Sequence, residues 1–306
     1  MSVQMAQGWE AKFSNWRGKA SDSEEERYTR TCQAVGNALR SSDRLSNYEF
    51  IVYAKGSYPN FTNVVTDSDV DIAVELRTFF KNKFIHKAEG LSLSDVGVTP
   101  YTGHATLAGF KNDVQNALVA YFGAGAVERG NKAIRVAENS GRLPADVVPC
   151  VTERTWTSQW HYNEGTRLQS DRDPDLGIIN YPQQHLDRGK LKNDNTSRRY
   201  KRVVRILKRL ENEMVDNRII EVVPSFLIES SVWNVPNDNF GVDSWVGRVR
   251  NALAYIYNGT LSDQCVASDG WLEANGIKFL FHGTQGWSYR DAHDFASKAW
   301  NHIGFD

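Results

Sequence analysis

The chain contains Lys55-Gly56-Ser57, followed after eleven residues by Asp69-Val70-Asp71-Ile72-Ala73-Val74. The segment before it, Tyr48 to Tyr53, is rich in β-branched and aromatic residues and predicts a strand that ends by Gly56. The segment from Asp69 to Val74 alternates polar and apolar residues before it becomes wholly apolar, which predicts a second strand. Because side chains two apart on a strand share a face, Asp69 and Asp71 should project together.

This pair of carboxylates has a chemical use. Two carboxylates at that spacing can bind hard divalent cations such as Mg²⁺. Without a cation their mutual repulsion costs stability, so the pair favours a metal or basic neighbours. The turn at Gly56 and Ser57 can offer backbone N–H groups and a hydroxyl to phosphate oxygens. Most Asp-x-Asp pairs are solvated edges and most Gly-Ser pairs are simple turns, but their combination in this order is specific.

Further elements follow from periodicity and turn signals. Ser23 and Glu26 have the spacing of a capping box, which predicts a helix to about Arg40. Residues 78–104 are predicted to be an irregular insertion and 161–195 a polar segment. The remaining predicted elements are a helix at 106–122, strands at 133–137 and 146–151, and helices at 197–214, 225–233, 243–257 and 289–303.

These elements predict an α+β fold with two parts. Residues 1–160 should form a catalytic core, a mixed sheet with helices and an N-terminal helix. Residues 161–306 should form a mainly helical C-terminal lobe, and the active site is expected in a cleft between the two.

Composition and charge restrict the class of protein. Hydrophobic residues make up 41% of the chain, and 36 Lys and Arg nearly balance 37 Asp and Glu. The net charge is −1, whereas many nucleic-acid-binding proteins are strongly basic. The three cysteines are far apart and have no zinc-ligand spacing. With no predicted signal peptide and no apolar run of membrane-spanning length, we expect a cytoplasmic protein without a membrane partner.

The motifs resemble a known superfamily. A strand, a Gly-Ser turn, a short loop and Asp-x-Asp opening an apolar strand are typical of the polymerase-β-like nucleotidyltransferases. Three segments narrow the resemblance to the bacterial cGAS/DncV-like nucleotidyltransferases, from about residue 20 to the C-terminus. They are Tyr53 to Glu75, Asp146-Val147-Val148-Pro149-Cys150-Val151 and Val223-Pro224-Ser225-Phe226-Leu227-Ile228-Glu229. Within that family the chain looks most like the clade that includes uridine-using cyclic dinucleotide synthases.

The resemblance implies an activity. It implies a synthase that uses NTPs such as ATP and UTP to make a cyclic dinucleotide or trinucleotide, the dinucleotide being favoured, as a second messenger of anti-phage signalling. It also implies two Mg²⁺ ions, for which Mn²⁺ can substitute. Animal relatives carry a zinc-binding insertion and basic surfaces for DNA. The scattered cysteines and balanced charge match neither, which argues against activation by DNA and leaves a regulatory protein partner undefined.

The resemblance also assigns residues. Asp69, Asp71 and Asp146 match the metal-binding and catalytic triad, although Asp146 alone would be interpreted as a strand-edge acid. Gly56 and Ser57 match the phosphate-binding turn. The nucleotide-binding candidates carried over from the helical half and its approach are Asn180, Lys208, Ser225 and Phe226.

Each of these further candidates has a plainer alternative. Lys208 resembles the lysine that contacts the donor triphosphate, but it could lie on a solvated helix face. Ser225 and Phe226 resemble a pair that touches the triphosphate and stacks on a base, but Phe226 could be ordinary core packing. Asn180 resembles an asparagine that favours uracil, whose edge an amide can match with a donor and an acceptor. It could also be a turn residue near Pro182.

Two other functions compete with cyclic nucleotide synthesis. One is a nucleotidyltransferase that makes linear oligonucleotides or modifies RNA or a small molecule. RNA tailing would need a basic track, for which the sequence gives little support. The other is a catalytically inactive nucleotide-binding protein, against which the intact set of three carboxylates argues.

Overall fold

The computed structural model describes residues 1–64, 69–283 and 285–305. The chain forms two compact units. The unit that we call the sheet unit consists of Ser21–Pro59 and Ser68–Pro182. The other, the helical unit, consists of Met1–Ala20, Asn60–Asp67 and Gln183–Asp306. Each unit is therefore assembled from separate stretches of the chain.

The strands and α-helices have the following bounds. The strands are β1 (Phe50–Ala54), β2 (Val70–Phe84), β3 (Val127–Arg129), β4 (Ile134–Val136), β5 (Ala145–Ser158), β6 (His161–Gln169) and β7 (Gly177–Asn180). The helices are α1 (Val3–Trp16), α2 (Asp22–Arg40), α3 (Leu107–Phe122), α4 (Pro182–Asn195), α5 (Tyr200–Asp216), α6 (Ser225–Asn234), α7 (Trp245–Gly259), α8 (Asp263–Asp269) and α9 (Tyr289–Ile303).

All the strands belong to one mixed sheet, in the order β1-β2-β5-β4-β3. β2 and β5 run parallel to each other at its centre, and the other pairs are antiparallel. β5 is long enough to pair with β4 along its first residues and with β6 along its second half. β7 extends the sheet beyond β6. The two long parallel strands therefore carry the residues that open them, Val70 and Ala145, side by side.

The two faces of the sheet differ. Val70, Ile72, Val74 and Leu76 are fully buried in a core that α2 and α3 complete, through side chains such as Phe110. Alternation places Asp71, Ala73 and Glu75 on the opposite face, which we call the carboxylate face. Within the described residues, the apolar cluster on this face is small and is built on Ala73, Val148, Cys150 and Leu168. One face thus holds the sheet unit together, and the other is left for polar groups.

The helical unit packs around α5. One face of α5 is apolar along its whole length, with Val203, Leu207 and Leu210 fully buried. Helix α1 packs into the same core through Phe13, which has no exposed surface. Glu10 of α1 accepts hydrogen bonds from the first backbone N–H groups of α7, so it caps that helix. No helix in the described part of the chain is long and apolar enough to cross a membrane.

The α+β fold class and most predicted helices agree with the structure, but three expectations need correction. Residues 78–84 are the second half of β2, not part of an irregular insertion. The segment 161–195 is not simply polar chain, because it forms β6, β7 and α4. The helix α2 is capped by Ser21, whose hydroxyl accepts from the backbone N–H of Glu24, rather than by Ser23.

The division of the chain also differs from the sequence-based one. We placed the boundary after residue 160, whereas the compact units divide at Pro182 and Gln183. The physical reason is that β6 pairs with β5 and β7 pairs with β6, which keeps residues 161–180 in the sheet unit. The N-terminal helix α1 belongs to the helical unit, since Phe13 is buried in its core.

Candidate active site

The three predicted carboxylates belong to one end of the sheet unit. Asp71 in β2 is the register partner of Asp146 in β5, so the two lie side by side on neighbouring parallel strands. Asp69 stands immediately before β2 and shares the parity of Asp71. The strand register therefore places the third acid, on another strand, beside the Asp-x-Asp pair, as the sequence predicted.

Mutual repulsion in this cluster is visible at Asp146. Burial raises the pKa of its carboxyl, and the neighbouring charges of Asp69 and Asp71 raise that pKa further. Two cations oppose this effect. The Lys55 Nζ lies 3.3 Å from Asp71 Oδ1, and an Arg135 Nη lies 3.9 Å from Asp69 Oδ1. The basic neighbours that the acidic pair requires in the absence of a metal are therefore present.

Gly56 shapes the turn beside these carboxylates. Its φ is +74°, a left-handed conformation that other residues adopt only with strain. A Cβ built on Gly56 would lie 2.5 Å from Asp71 Oδ2. The backbone of the turn therefore approaches the carboxylate as closely as only glycine permits, and Ser57 follows in the same turn. The chain direction here is fixed by Lys55, whose backbone N–H donates to Asp71 O at 2.9 Å.

A divalent cation fits the chemistry of this donor set. Three carboxylates with oxygen donors share one sheet end, and burial followed by the charges of Asp69 and Asp71 raises the pKa of Asp146 there. Among residues 1–64, 69–283 and 285–305, no three acidic, histidine or cysteine side chains already stand together as a metal-binding group. Lys55 and Arg135 supply the counter-charge instead. The oxygen donors of the three carboxylates suit a divalent cation, which would replace the counter-charge of Lys55 and Arg135.

The carboxylate face continues to Asn180. In the antiparallel register Thr152 of β5 faces Thr166 of β6, and Thr166 faces Asn180 of β7. Register partners share a face, and Thr152 is six residues after Asp146. Asn180 is therefore on the carboxylate face. Along the strand direction it is displaced from Asp146 by about 20 Å, at about 3.3 Å per residue. The apolar cluster of Ala73, Val148, Cys150 and Leu168 lies on the same face.

Asn180 is held by its neighbours. It is the last residue of β7, so the interpretation as a simple turn asparagine is wrong. A Cβ on Gly165 would lie 2.5 Å from the Asn180 carbonyl oxygen, which shows how closely the strands approach there. Tyr181 follows, and its hydroxyl donates to Thr155 Oγ1 at 2.9 Å. Pro182 then begins α4, a position at which proline costs no helical hydrogen bond.

The other three candidates lie in the helical unit. Lys208 is buried on α5, and its Nζ is 3.3 Å from Glu229 Oε2, so the solvated-face interpretation is wrong. Ser225 and Phe226 begin α6. The ring of Phe226 is half-buried and lies edge-on to the ring of His185, with centroids 5.6 Å apart.

Sequence reasoning missed several charged residues of these two regions. Lys55 directly precedes Gly56 and could have been found from that position alone. Arg135 could not, because it falls in a short strand whose register with Asp146 only the sheet defines. Glu229 lies in the Val223–Glu229 segment that carries the family resemblance, but the sequence indicates no role for it, and His185 carries no signal in the sequence.

A cavity of about 1130 Å³ lies elsewhere in the sheet unit. It is lined by the second half of β2, including Phe79 and Phe80, and by Tyr101 and the start of α3. The part of β2 that lines this cavity begins several residues after Asp71. Because a strand rises about 3.3 Å per residue, the cavity is distant from Asp71. We place the candidate site at the carboxylates, because the cavity lacks the set of acids that the chemistry requires.

Comparison with known proteins identifies the family of the chain. Residues 187–304 match the cGAS/DncV-like nucleotidyltransferase C-terminal helical domain. The chain is 35% identical to the cyclic dipyrimidine nucleotide synthase CdnE of Cecembia lonarensis, over 98% of this chain and 100% of that protein. It is 34% identical to the cyclic dipurine nucleotide synthase of Elizabethkingia meningoseptica, over 97% of this chain and 98% of that protein.

A solved structure gives the same result. The Rhodothermus marinus CdnE c-UMP-AMP synthase with Apcpp and Upnpp matches with a TM-score of 0.78 at 27% identity, over 97% of this chain and 98% of that one. Sequence similarity and fold therefore agree over nearly the full length of the chain. The chain belongs to the cGAS/DncV-like nucleotidyltransferase family, and it is a cyclic nucleotide synthase of that family.

Proposed function

We propose that this enzyme joins two NTPs, at least one of them a pyrimidine nucleotide, into a cyclic dinucleotide. The observation that carries the proposal is the shared carboxylate face, with Asp71 and Asp146 at one end and Asn180 further along it. Similarity to the cyclic dipyrimidine synthase of Cecembia lonarensis supports it. In each transfer a hydroxyl oxygen of one nucleotide bonds to the α-phosphorus of the other, and pyrophosphate leaves. A second transfer closes the ring.

We assign the carboxylates to two Mg²⁺ ions. Asp69 and Asp71 would bind both ions and Asp146 one of them, with Mn²⁺ as a substitute. When bound, the ions supply counter-charge for the phosphates and lower the pKa of the acceptor hydroxyl. Gly56 and Ser57 offer the triphosphate backbone N–H groups and a hydroxyl. Lys208 contributes a positive charge for binding the donor triphosphate, which is a positioning and charge-stabilising task.

We assign base choice to Asn180. Overall identity does not decide it, because the chain is 35% identical to a dipyrimidine synthase and 34% identical to a dipurine synthase. The choice must therefore come from a few side chains. An amide presents a donor and an acceptor together, which matches the edge of uracil. Ser225 and Phe226 add a hydroxyl and a ring that can stack on a base. On this proposal ATP and UTP are substrates, and the product is a second messenger of anti-phage signalling.

The carboxylate assignment is tested with Asp69→Asn and Asp71→Asn. We expect both variants to lose product formation while the thermal unfolding midpoint changes little, because both side chains are about 40% exposed. The purified protein is incubated with all four labelled NTPs and Mg²⁺, and the products are treated with phosphatase and separated. Asp43→Asn, an exposed acid of the sheet unit, is the matched control. Full activity in either variant would overturn the assignment.

The base-choice assignment is tested with Asn180→Ser. We expect the variant to shift from pyrimidine towards purine when the four NTPs compete, since it loses the amide that pairs with uracil. Incorporation of each labelled nucleotide is measured, and Asn116→Ser on the exposed surface of α3 is the control. An unchanged preference in the Asn180 variant would contradict the role of this residue.

The same incubation separates the competing functions. A phosphatase-resistant product that omission of UTP or CTP abolishes supports the proposal. Phosphatase-sensitive products would indicate a linear oligonucleotide synthase. Nucleotide binding without any product, in all metal conditions, would favour an inactive nucleotide-binding protein.

A further inference from the structure

Glu229 of α6 is the centre of a buried polar cluster in the helical unit. Its Oε1 lies 2.8 Å from His185 Nε2, and its Oε2 lies 3.3 Å from Lys208 Nζ. Oε2 also accepts a hydrogen bond from Thr62 Oγ1 at 2.7 Å. The side chains of Glu229, Lys208 and His185 are each less than 10% exposed. Both carboxylate oxygens are thus occupied by donors from three different parts of the unit.

The charge of this carboxylate is maintained despite its burial. Burial alone would raise the pKa of Glu229, but the Lys208 ammonium and His185 outweigh it and hold the pKa far below its usual range. A buried ion pair is weak support for stability, since desolvation offsets much of the attraction. Its clearer effect is orientation. Because both oxygens of the carboxylate already have hydrogen-bonding partners, each partner side chain has one favourable position.

His185 connects this cluster to Phe226. The two rings are nearly perpendicular, at 83°, with centroids 5.6 Å apart. On its other side Phe226 lies 6.0 Å from the ring of Trp287. His185 therefore contacts both Glu229 and the aromatic side chain that we assign to base stacking. One continuous set of contacts runs from Lys208 through Glu229 and His185 to Phe226.

We propose that His185 and Glu229 are positioning residues, which hold the Lys208 ammonium and the Phe226 ring in the orientations that bind a nucleoside triphosphate. The proposal rests on the function proposed above, and it adds to it two residues that touch no substrate themselves. A lysine has about four rotatable bonds, so an unheld ammonium would have to be ordered by the ligand at an entropic cost. Glu229 removes that cost before the nucleotide arrives, and His185 does the same for the aromatic ring.

The chain offers a matched control for the histidine. His302 of α9 bonds to Glu213 of α5, with Nε2 and Oε1 3.0 Å apart. It is the same type of pair in the same unit, but it makes no contact with Lys208 or Phe226 among the contacts described. Replacing either histidine by leucine removes one hydrogen bond to a glutamate. Only the loss of His185 should change nucleotide binding.

Equilibrium dialysis of the labelled analogues Apcpp and Upnpp in the presence of Mg²⁺ measures the effect, because their altered α–β bridges prevent the transfer that would consume ATP and UTP. We expect His185→Leu to raise the dissociation constant about tenfold, which corresponds to about 1.4 kcal/mol. We expect His302→Leu to leave it within about twofold, a difference of about 0.4 kcal/mol. The thermal midpoints of both variants are recorded to compare their structural cost. Equal affinities in the two variants would overturn the proposal for His185.

A double-mutant cycle tests whether Glu229 acts through Lys208. The variants are Glu229→Gln, Lys208→Met and their combination, and coupling energies between contacting residues are what such a cycle measures. We expect Glu229→Gln to weaken binding in the natural background and to add nothing in the Lys208→Met background. Additive losses would overturn the proposal for Glu229. If Glu229→Gln alone fails to fold because it leaves a buried ammonium unpaired, the double variant against Lys208→Met still gives the decisive comparison.

Binding and product formation separate the two proposals. Wild-type protein that makes a cyclic product, with the His185 variant binding as tightly as the His302 variant, would refute the positioning role alone. Wild-type protein that binds nucleotide and makes no product would refute the proposed function, while the dialysis result still decides the positioning role. Wild-type protein that binds no nucleotide would overturn both.

Discussion

Gly56 satisfies two separate requirements at the start of the candidate site. Its φ of +74° allows the chain to turn after β1, and the absence of a Cβ lets Asp71 Oδ2 approach the backbone. Either requirement alone would favour glycine. Together they connect the turn that we propose binds phosphate directly to the carboxylate that we propose is catalytic, so that a change at one displaces the other.

Replacement of Gly56 by alanine tests this connection. We expect Gly56→Ala to lose about 100-fold or more in product formation, since a displacement of about 1 Å at a catalytic group can have that effect. The left-handed backbone adds roughly 1–2 kcal/mol of strain. Gly90→Ala is the control, because Gly90 has a φ of +88° and no atom within 4 Å of a built Cβ. Comparable activity in both variants would contradict the connection.

Some residues of the candidate site can be predicted from their spacing in the sequence, and others cannot. Strand parity alone grouped Asp69 with Asp71, because it depends only on local sequence, whereas Asp146 was added by the resemblance to the polymerase-β-like nucleotidyltransferases. Arg135 lies beside Asp146 through strand pairing, which no local pattern encodes. The burial of Lys208 was not predicted for a similar reason, since its partner Glu229 is 21 residues away on another helix.

At the scale of single elements, the long strands differ most from their predicted lengths. β2 was predicted to end near Val74 and β5 near Val151, yet they extend to Phe84 and Ser158. Their second halves carry charged residues such as Lys81 and Arg154, which weaken the sequence pattern typical of a strand. The pairing of Phe80–Phe84 with Thr152–Trp156 supplies the backbone hydrogen bonds that overrule this weak local preference. The strongly periodic helices were predicted well because each encodes its own buried face.

The start of α2 gives a test at this scale. The structure assigns the cap to Ser21, whose Oγ accepts from the backbone N–H of Glu24 at 3.3 Å. We expect Ser21→Ala to lower the free energy of unfolding by about 1 kcal/mol. Ser23→Ala, the cap that the sequence suggested, should change it by less than about 0.5 kcal/mol. Urea denaturation of both variants measures the difference, and a larger effect at Ser23 would favour the sequence-based assignment.

At the scale of the whole molecule, the helical unit depends on a helix that is distant in sequence. Phe13 of α1 is fully buried in a core whose other buried members lie between Tyr200 and Phe305. We expect Phe13→Ala to cost about 3–5 kcal/mol of stability, the usual cost of deleting a buried phenylalanine. Trp160→Ala, which removes a side chain that is 86% exposed, should change stability by less than about 0.5 kcal/mol. Thermal unfolding of the two variants provides the measurement, and a small effect at Phe13 would contradict the packing of α1.

The placement of α1 has a consequence during protein synthesis. Helix α1 ends at Trp16, but its packing partners α5 and α7 begin at Tyr200 and Trp245. Ribosomes add about 5–20 residues per second, so roughly 10 to 50 seconds separate the emergence of α1 from that of α7. During this interval Trp9, Phe13 and Trp16 lack the surface that covers them in the finished protein. The nascent chain therefore presents an aromatic, aggregation-prone segment until its last third has been translated, and an early-binding chaperone would shield it.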